Sequence, residues 1–388
     1  MPVAVIALMG AAFGIGTAEF IVLGLLPEVA DGMEVSVTTA GMLITGYALG
    51  VVFGGPAFTA AALRVSRKNM LLILMVMFVV GNALSAIAPA YWVLLVGRVL
   101  AAICHGAFLG IASVVAADMV SHDKRSRAIS MVFTGLTLSN VFGAPLGTWI
   151  GQSLGWRAPF WVIGAIGVIS LLGIATLLPA QDAAGRSRSL RSEISAFGSG
   201  QFWLAFAIAG FSMGSLFAAF SYISPLLTEV TGFDPRWMTG LLMVFGAGLV
   251  GGNLVGGHVA DRHQVGALLA SQGLMIVVLV TFAATAELPA AAVVLLPLMG
   301  AAGFGTVPSF MSRVIDSAQG APTLASAMAS SAANGGIAVG SFLSGLTVEA
   351  GFGYRSALLV GATMAALALA VTVASATLER RAAPLATR

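Results

Sequence analysis

Residues 14–27 read Gly-Ile-Gly-Thr-Ala-Glu-Phe-Ile-Val-Leu-Gly-Leu-Leu-Pro, an apolar segment with a single carboxylate, Glu19. The apolar run around it extends from about residue 3 to residue 26, and a helix needs about 20 such residues to cross the hydrocarbon core of a bilayer. No basic residue precedes the run, so it predicts a membrane span and not a cleaved signal peptide. The nearest basic residue in the sequence is Arg64, which leaves Glu19 without a local partner.

The composition of the whole chain agrees with a membrane protein. Of its 388 residues, 59% are hydrophobic and only 9% are charged, whereas a soluble domain has about 25% charged residues. A soluble protein of this length could not cover its surface with so few charges. The single cysteine, Cys104, excludes an intramolecular disulfide framework, and the four histidines do not cluster. We therefore expect a polytopic membrane protein without a metal or other cofactor.

Twelve apolar stretches of the required length can be marked along the chain, which predicts an all-α fold. They cover residues 3–26, 37–62, 70–88, 92–117, 128–154, 158–179, 201–227, 237–260, 265–286, 290–312, 322–348 and 355–378. The longest polar segment, 180–200, divides them into two sets of six and is too short for a domain, so it predicts a linker.

The basic residues predict the orientation of these spans. With the N-terminus in the cytoplasm, three of the 18 Lys and Arg residues lie outside, at Arg157, Arg236 and Arg355, and Arg98 lies within a span. The others fall on the cytoplasmic side: Arg64, Arg67, Lys68, Lys124, Arg125, Arg127, Arg186, Arg188, Arg191, Arg262, Arg313, Arg380, Arg381 and Arg388. Because positive charge favours the cytoplasmic side, we expect both termini in the cytoplasm.

The two sets of spans are related by a shift of 198 residues without a gap. The matching pairs are Gly16 and Gly214, Pro27 and Pro225, Gly50 and Gly248, Gly54 and Gly252, Arg64 and Arg262, Gly147 and Gly345, and the triplets Gly155-Trp156-Arg157 and Gly353-Tyr354-Arg355. Because six is even, both halves have the same orientation in the membrane. Parallel halves of this kind hold substrate at their interface, near the bilayer midplane.

Five short segments carry a resemblance to a known family. They are Gly16-Thr17-Ala18-Glu19-Phe20, Arg64-Val65-Ser66-Arg67-Lys68, Arg98 followed by Gly106, Gly143-Ala144-Pro145-Leu146-Gly147, and Gly257-His258-Val259-Ala260-Asp261-Arg262. Together with the repeat they resemble the major facilitator superfamily over essentially the whole chain, and within it the bacterial drug:proton antiporters related to chloramphenicol-resistance and sugar-efflux exporters. The resemblance implies two parallel six-helix bundles, 1–179 and 201–388, joined by the cytoplasmic linker 180–200.

Glu19 and Arg98 are the charged residues that fall well inside predicted spans. Placing a charge there costs a few kcal/mol, which makes each a candidate for function. Both lie about 10 Å below the outer end of their spans, at about 1.5 Å per residue, so they could meet if spans one and four are neighbours. Glu19 then becomes a candidate proton-binding carboxylate. The alternative for Glu19 is an acid that snorkels to the membrane surface or packs between helices. The alternative for Arg98 is a donor to backbone carbonyls of a broken helix.

His105 follows Arg98 by seven residues and shares its helical face. Because histidine titrates near physiological pH, it could relay a proton or contact substrate; a hydrogen-bonded histidine at a helix contact is the alternative. We also expect buried amides and aromatic rings to contact substrate, against the alternative of helix packing. These candidates are Phe13, Phe20, Asn140, Phe211, Phe217, Tyr222 and Asn334.

Glycine recurs every four residues in spans two, five, eight and eleven, which leaves bare helix faces for close approach. The rows are Gly46, Gly50 and Gly54; Gly143, Gly147 and Gly151; Gly248, Gly252 and Gly256; and Gly336 and Gly340. The resemblance places these spans between the two halves, so the bare faces would let the halves rock. It also assigns a bend at Pro145 to blocking proton leak.

Charges at the cytoplasmic helix ends could form acid–base latches, although ordinary solvated helix ends are the alternative. The candidates are Arg64, Arg67, Asp118, Asp261, Arg262 and Asp316. The chain has no phosphate-binding loop and no hydrolase or zinc-protease motif. We therefore expect a secondary transporter and not an enzyme.

The leading hypothesis is a monomeric, proton-coupled exporter of small, largely apolar molecules in the bacterial inner membrane. Its partners are then lipid, protons and a small-molecule substrate, without nucleic acid. Export of sugars or nucleosides is the alternative within the same class. A channel or a membrane-embedded enzyme is the alternative from another class.

Overall fold

A computed structural model describes residues 3–61, 65–121, 124–179, 198–318 and 322–382. These residues form helices joined by short turns, and eleven of the helices are long and apolar enough to cross a membrane. The expected all-α membrane fold is therefore confirmed. Arg64 and residues 180–197 of the predicted linker lie outside the described residues.

The helices follow the predicted spans closely. Spans one to six are Val3–Gly24, Val37–Ala61, Arg67–Ile87, Tyr91–Asp118, the pair Arg125–Leu138 and Ala144–Leu154, and Ala158–Leu177. Span seven is Gly200–Phe220, spans eight and nine share Met238–Ala284, span ten is Pro289–Phe304 with Val307–Ser317, and spans eleven and twelve are Pro322–Thr347 and Arg355–Ala382. A short helix, Leu26–Gly32, follows span one.

Spans eight and nine form one continuous run, which is why twelve predicted spans become eleven helices. The run has 47 residues, or roughly 70 Å at about 1.5 Å per residue, more than twice the thickness of a hydrocarbon core. Its backbone is non-helical at His263, with φ −145° and ψ 74°. The two spans are thus separated by a kink at this residue and not by a loop.

The repeated Gly-aromatic-Arg triplets mark the same helix end in both halves. Gly155 and Gly353 have φ values of 92° and 71°, which favour glycine because a side chain there would be strained. Gly155 ends the helical run of span five, and Gly353 ends that of span eleven. In both cases the next span begins within three residues. This geometric requirement explains why the triplet persists in both copies.

The chain divides into two compact units, Met1–Arg188 with Asp234–Met243, and Ser189–Phe233 with Val244–Arg388. In the first unit, span one packs against spans four, five and six, and span two packs along span four. In the second unit, span seven packs against spans ten, eleven and twelve. Span one is apolar on all sides and mostly buried, as expected for a helix surrounded by others.

The glycine rows pack inside their own units, and the prediction that they face the other half is wrong. A Cβ on Gly54 would lie 2.6 Å from the backbone of Ile103 in span four, and one on Gly252 would lie 2.2 Å from the Ala301 oxygen in span ten. The other rows behave in the same way, with Gly143, Gly147 and Gly151 against span one and Gly336 and Gly340 against span seven. Close packing within each unit uses the bare faces.

Candidate functional site

Glu19 and His105 form the centre of a buried polar cluster in the first unit. Oε2 of Glu19 lies 3.8 Å from Nδ1 of His105, and the two side chains are only 12% and 7% exposed. Helical side chains tilt towards the N-terminus of their own helix, and this brings the Glu19 carboxyl to the middle of span four, where His105 lies. A carboxyl group and an imidazole at this distance can exchange a proton after a small movement.

Arg98 contacts the backbone of span one, and not the Glu19 carboxylate. Its side chain is 1% exposed; Nη1 donates to the Ala18 carbonyl oxygen, and Nη2 donates to the Glu19 carbonyl oxygen at 3.4 Å. Among the described residues, no Arg98 nitrogen is within 4.0 Å of the carboxylate. The two residues therefore meet at one level of the membrane, as expected, but the guanidinium has the backbone-donor geometry of the alternative interpretation.

Tyr47 of span two is a fourth member of the cluster, which the sequence reasoning missed. Its ring centre lies 4.3 Å from the guanidinium carbon of Arg98, close enough for a cation–π interaction. Its hydroxyl oxygen lies 3.4 Å from Nδ1 of His105. The Tyr47 side chain is 2% exposed. It thus links span two to both polar residues of span four.

The internal repeat carries a signal that could have identified Tyr47. Each of the four cluster residues has a nonpolar counterpart 198 positions later: Phe217 for Glu19, Phe245 for Tyr47, Leu296 for Arg98 and Gly303 for His105. In the second unit, Phe245 stacks on Phe220 with ring centres 4.0 Å apart. A search for polar residues whose repeat partner is nonpolar would therefore have selected Tyr47.

Span five is irregular next to the cluster. A π-helical turn, Ser139–Gly143, immediately precedes Pro145, so the backbone is irregular where the proline predicts a bend. A Cβ on Gly143 would lie 2.1 Å from Oγ1 of Thr17, and one on Gly147 would lie 2.1 Å from Cδ1 of Ile21. The two glycines therefore let span five lie directly against the part of span one that carries Glu19.

The predicted substrate residues occupy different parts of the two units. Phe20 is buried and Phe13 is half-buried on span one, while Phe217 is buried and Phe211 is half-buried on span seven. Tyr222 packs its hydroxyl against Gly345 and its ring against Tyr354, which fits the packing alternative. A cavity of about 300 Å³ in the second unit is lined by spans eight to ten and includes none of these residues.

Both asparagines among the predicted substrate residues have buried acceptor atoms without a partner in the described part of the chain. Among the described residues, Oδ1 of Asn140 and Oδ1 of Asn334 have no hydrogen-bond partner. The Asn334 amide nitrogen donates to the Ser330 carbonyl oxygen at 3.0 Å. Because an unpaired buried acceptor is costly, both oxygens are available to a ligand or to water.

Two of the predicted latch residues, Arg67 and Asp118, form an ion pair. Arg67 Nη1 lies 2.6 Å from Asp118 Oδ2, and Arg125 Nη2 lies 3.8 Å from Oδ1 of the same carboxylate. In the described part of the second unit, neither Asp261 nor Arg262 forms an ion pair with Asp316. The two repeats therefore differ at this helix end as well.

Arg313 takes a buried position that the sequence did not reveal. Its side chain is 6% exposed, and Nη2 lies 2.5 Å from Glu379 Oε1 and 2.7 Å from Ser375 Oγ. Ser375 Oγ also donates to Gln201 Oε1 at 2.7 Å. A polar network thus joins the ends of spans seven, ten and twelve.

Comparisons with known proteins agree with this architecture. The profile described as "Major Facilitator Superfamily" matches residues 8–329. The inner membrane transport protein YdhP of Escherichia coli O157:H7 is 38% identical over 371 residues, 96% of this chain and 95% of that protein. A chloramphenicol resistance protein of Streptomyces lividans is 32% identical over 387 residues, 99% of each chain.

The fold agrees with a solved transporter structure. A bacterial homologue of the human lysosomal transporter Spinster superposes with a TM-score of 0.76 at 16% identity, over 97% of each chain. The family profile spans most of the sequence, and both curated relatives match nearly end to end. The chain is therefore a multi-pass membrane transporter that belongs to the Major Facilitator Superfamily.

Proposed function

We propose that this chain is a proton-coupled antiporter that exports small, largely apolar molecules across the bacterial cytoplasmic membrane, with both termini in the cytoplasm. The observation that carries the proposal is the buried pair of Glu19 and His105, with Oε2 and Nδ1 separated by 3.8 Å. It places a carboxyl group that can bind a proton beside a second group that can deliver one.

The surroundings of Glu19 suit reversible protonation. A carboxyl group buried away from water favours its neutral form, whereas a bonded cation would hold it ionised. The nearest permanent cation, Arg98, directs its donors at the backbone carbonyls of Ala18 and Glu19. The carboxylate therefore has a cation close by without a direct ion pair to it, which leaves it free to gain and lose a proton.

We propose the substrate class from the side chains that could bind it. Half-buried Phe13 offers aromatic surface on the helix that carries Glu19. The unpaired amide oxygens of Asn140 in the first unit and Asn334 in the second can each accept a hydrogen bond. Chloramphenicol is a suitable first probe, because a relative with 32% identity is a chloramphenicol resistance protein. The ion pair of Arg67 with Asp118 is then a candidate gate contact at the cytoplasmic ends of the helices.

Proton release in proteoliposomes tests the proposal. With an imposed pH gradient, we expect chloramphenicol flux to be saturable and coupled to proton movement in the opposite direction. Glu19→Gln should abolish both while the protein still inserts and elutes normally. Glu34→Gln is the matched control, because it removes an exposed carboxylate outside the span. Normal proton-driven flux in Glu19→Gln, or an ohmic current without saturation, would contradict the proposal.

A further inference from the structure

The Tyr47 hydroxyl lies against the same ring nitrogen as the Glu19 carboxylate. Nδ1 of His105 is 3.4 Å from the Tyr47 oxygen and 3.8 Å from Oε2 of Glu19. This nitrogen has either one hydrogen or one lone pair, so it can serve only one of the two oxygens at a time. We infer that Tyr47 is a positioning residue that competes with Glu19 for Nδ1 of His105 and thereby retains a proton on Glu19; this role rests on the proposed function.

When Glu19 is ionised, its carboxylate determines which nitrogen of His105 carries the hydrogen. A carboxylate can only accept hydrogen bonds, so Nδ1 must carry the hydrogen and donate it to Glu19, while Nε2 has the lone pair. The Tyr47 hydroxyl cannot donate to Nδ1 in this tautomer, because Nδ1 has no free lone pair. The Tyr47 oxygen could still accept this hydrogen, but the ionised carboxylate is the stronger acceptor, so the Nδ1 hydrogen turns to Glu19 in this state.

Proton uptake produces the second arrangement. An incoming proton binds to Nε2 and forms an imidazolium; the Nδ1–H bond then breaks, and that proton forms an O–H bond with Oε2 of Glu19. The ring is neutral again, with its hydrogen on Nε2 and a lone pair on Nδ1. The net change is one proton gained, carried by Glu19. Tyr47 can now donate its O–H to Nδ1, which occupies the nitrogen that would otherwise take the proton back.

The contacts of Tyr47 hold its hydroxyl in this position. The Arg98 guanidinium carbon lies 4.3 Å from the ring centre and so fixes the ring without using the hydroxyl. The other ionisable groups around His105 are Glu19 from span one and the buried Cys104 thiol from span four. Span three packs on span four, and spans five and six pack on span one. Their ionisable residues lie at helix starts, Arg67 and Lys68 in span three and Arg125 and Arg127 in span five, and span six carries none.

The repeat supports a joint role for the hydroxyl and the imidazole. At the counterpart positions in the second half, Phe245 keeps the aromatic ring and lacks the hydroxyl, and Gly303 lacks the imidazole. The half that lacks the carboxyl group therefore lacks the other two members of the proton site as well.

The variant Tyr47→Phe tests the role, with Tyr91→Phe as the matched control. Tyr91 also joins span four to span two, because its hydroxyl donates to the Thr39 carbonyl oxygen at 2.7 Å, but it lies away from His105. One net hydrogen bond corresponds to about fivefold in proton affinity, or about 0.7 pH unit. We expect the pH midpoint of transport to move to lower pH by this amount in Tyr47→Phe and to stay unchanged in Tyr91→Phe.

Nitrogen-15 NMR of histidine-labelled protein reports the tautomer directly, with His105 assigned from the signal lost in His105→Gln. In the wild type we expect hydrogen on Nε2 below the pH midpoint and on Nδ1 above it. In Tyr47→Phe, the low-pH state should become a mixture of tautomers. A single tautomer at every pH in the wild type would overturn the role of Tyr47, and so would an unshifted midpoint in folded Tyr47→Phe. Proton-driven flux in Glu19→Gln would instead refute the proposed function, whatever the tautomers do.

Discussion

Gly336 of span eleven lies directly against the backbone of Gly210 in span seven. A Cβ added to Gly336 would be 1.8 Å from the Gly210 carbonyl oxygen, and one added to Gly340 would be 2.4 Å from that of Gly214. Both obstacles are backbone atoms, which cannot turn aside as a side chain can. The two helices therefore touch along two successive turns, and only glycine fits at either position.

Gly336→Ala should consequently destabilise the second unit. Overpacking of this kind costs about 1–3 kcal/mol, and we expect a lower melting temperature in detergent. Gly251→Ala is the control, because a Cβ there would meet nothing within 4 Å and alanine is favoured over glycine in a helix by up to about 1 kcal/mol. Equal melting temperatures for the two variants would contradict the backbone contact.

Arg98→Lys should impair transport although the charge is kept. A lysine ammonium cannot place two donors on the Ala18 and Glu19 carbonyl oxygens in the way that the planar guanidinium does. A lost charged hydrogen bond corresponds to about tenfold or more in rate, if it acts in the transport cycle. Substrate flux in proteoliposomes measures the effect.

Arg157→Lys is the matched control for that variant. Arg157 also donates to a backbone carbonyl, that of Ala88 at 2.9 Å, and also stacks on an aromatic ring, that of Trp156 at 4.1 Å. It lies just before span six, away from the polar cluster. We expect the substrate flux of Arg157→Lys to stay near the wild-type value. An equal loss in both variants would mean that the arginine geometry serves packing alone.

Asp118→Asn should alter transport more than it alters stability. The Arg67 and Asp118 side chains are 31% and 42% exposed, and an exposed ion pair contributes about 1 kcal/mol or less. If the pair is a gate contact, flux should change and become less sensitive to salt. Asp316→Asn is the control, because Asp316 has the same position in the repeat without an ion pair among the described residues. The same flux in both variants would exclude the gate.

Glu379→Gln should destabilise the protein because it leaves the buried Arg313 cation without its carboxylate. Replacing both members of such a pair is often far less costly than removing one. Arg313→Met combined with Glu379→Gln should therefore recover part of the lost melting temperature. If the double variant is less stable than the single one, the network of Arg313 contributes more than charge compensation.

The sequence predicted the elements that depend on hydropathy and helical period. Apolar length gave the spans, and the seven-residue spacing placed Arg98 and His105 on one face, where both reach span one. The partner of each side chain depends on which helices are neighbours and how closely they pack. Sequence spacing alone therefore could not distinguish a carboxylate partner for Arg98 from two backbone carbonyls.

Tyr47 and the glycine rows show the same limit. Tyr47 lies between Gly46 and Gly50, whose bare face brings span two against span four. Once that face is known to contact span four, Tyr47 is at its edge and close to His105. The resemblance instead placed the glycine rows between the two halves, because the period identifies a bare face without identifying the helix that covers it.

The polar cluster occurs in only one of the two repeats. Its members Glu19, Tyr47, Arg98 and His105 correspond to Phe217, Phe245, Leu296 and Gly303 in the second half. If the halves arose by duplication of an ancestral six-helix gene, the same helical scaffold has tolerated both sets of residues. The scaffold itself then does not require the polar set in order to fold. Changes at these four positions could therefore remove or restore the proposed proton coupling without altering the architecture that surrounds them.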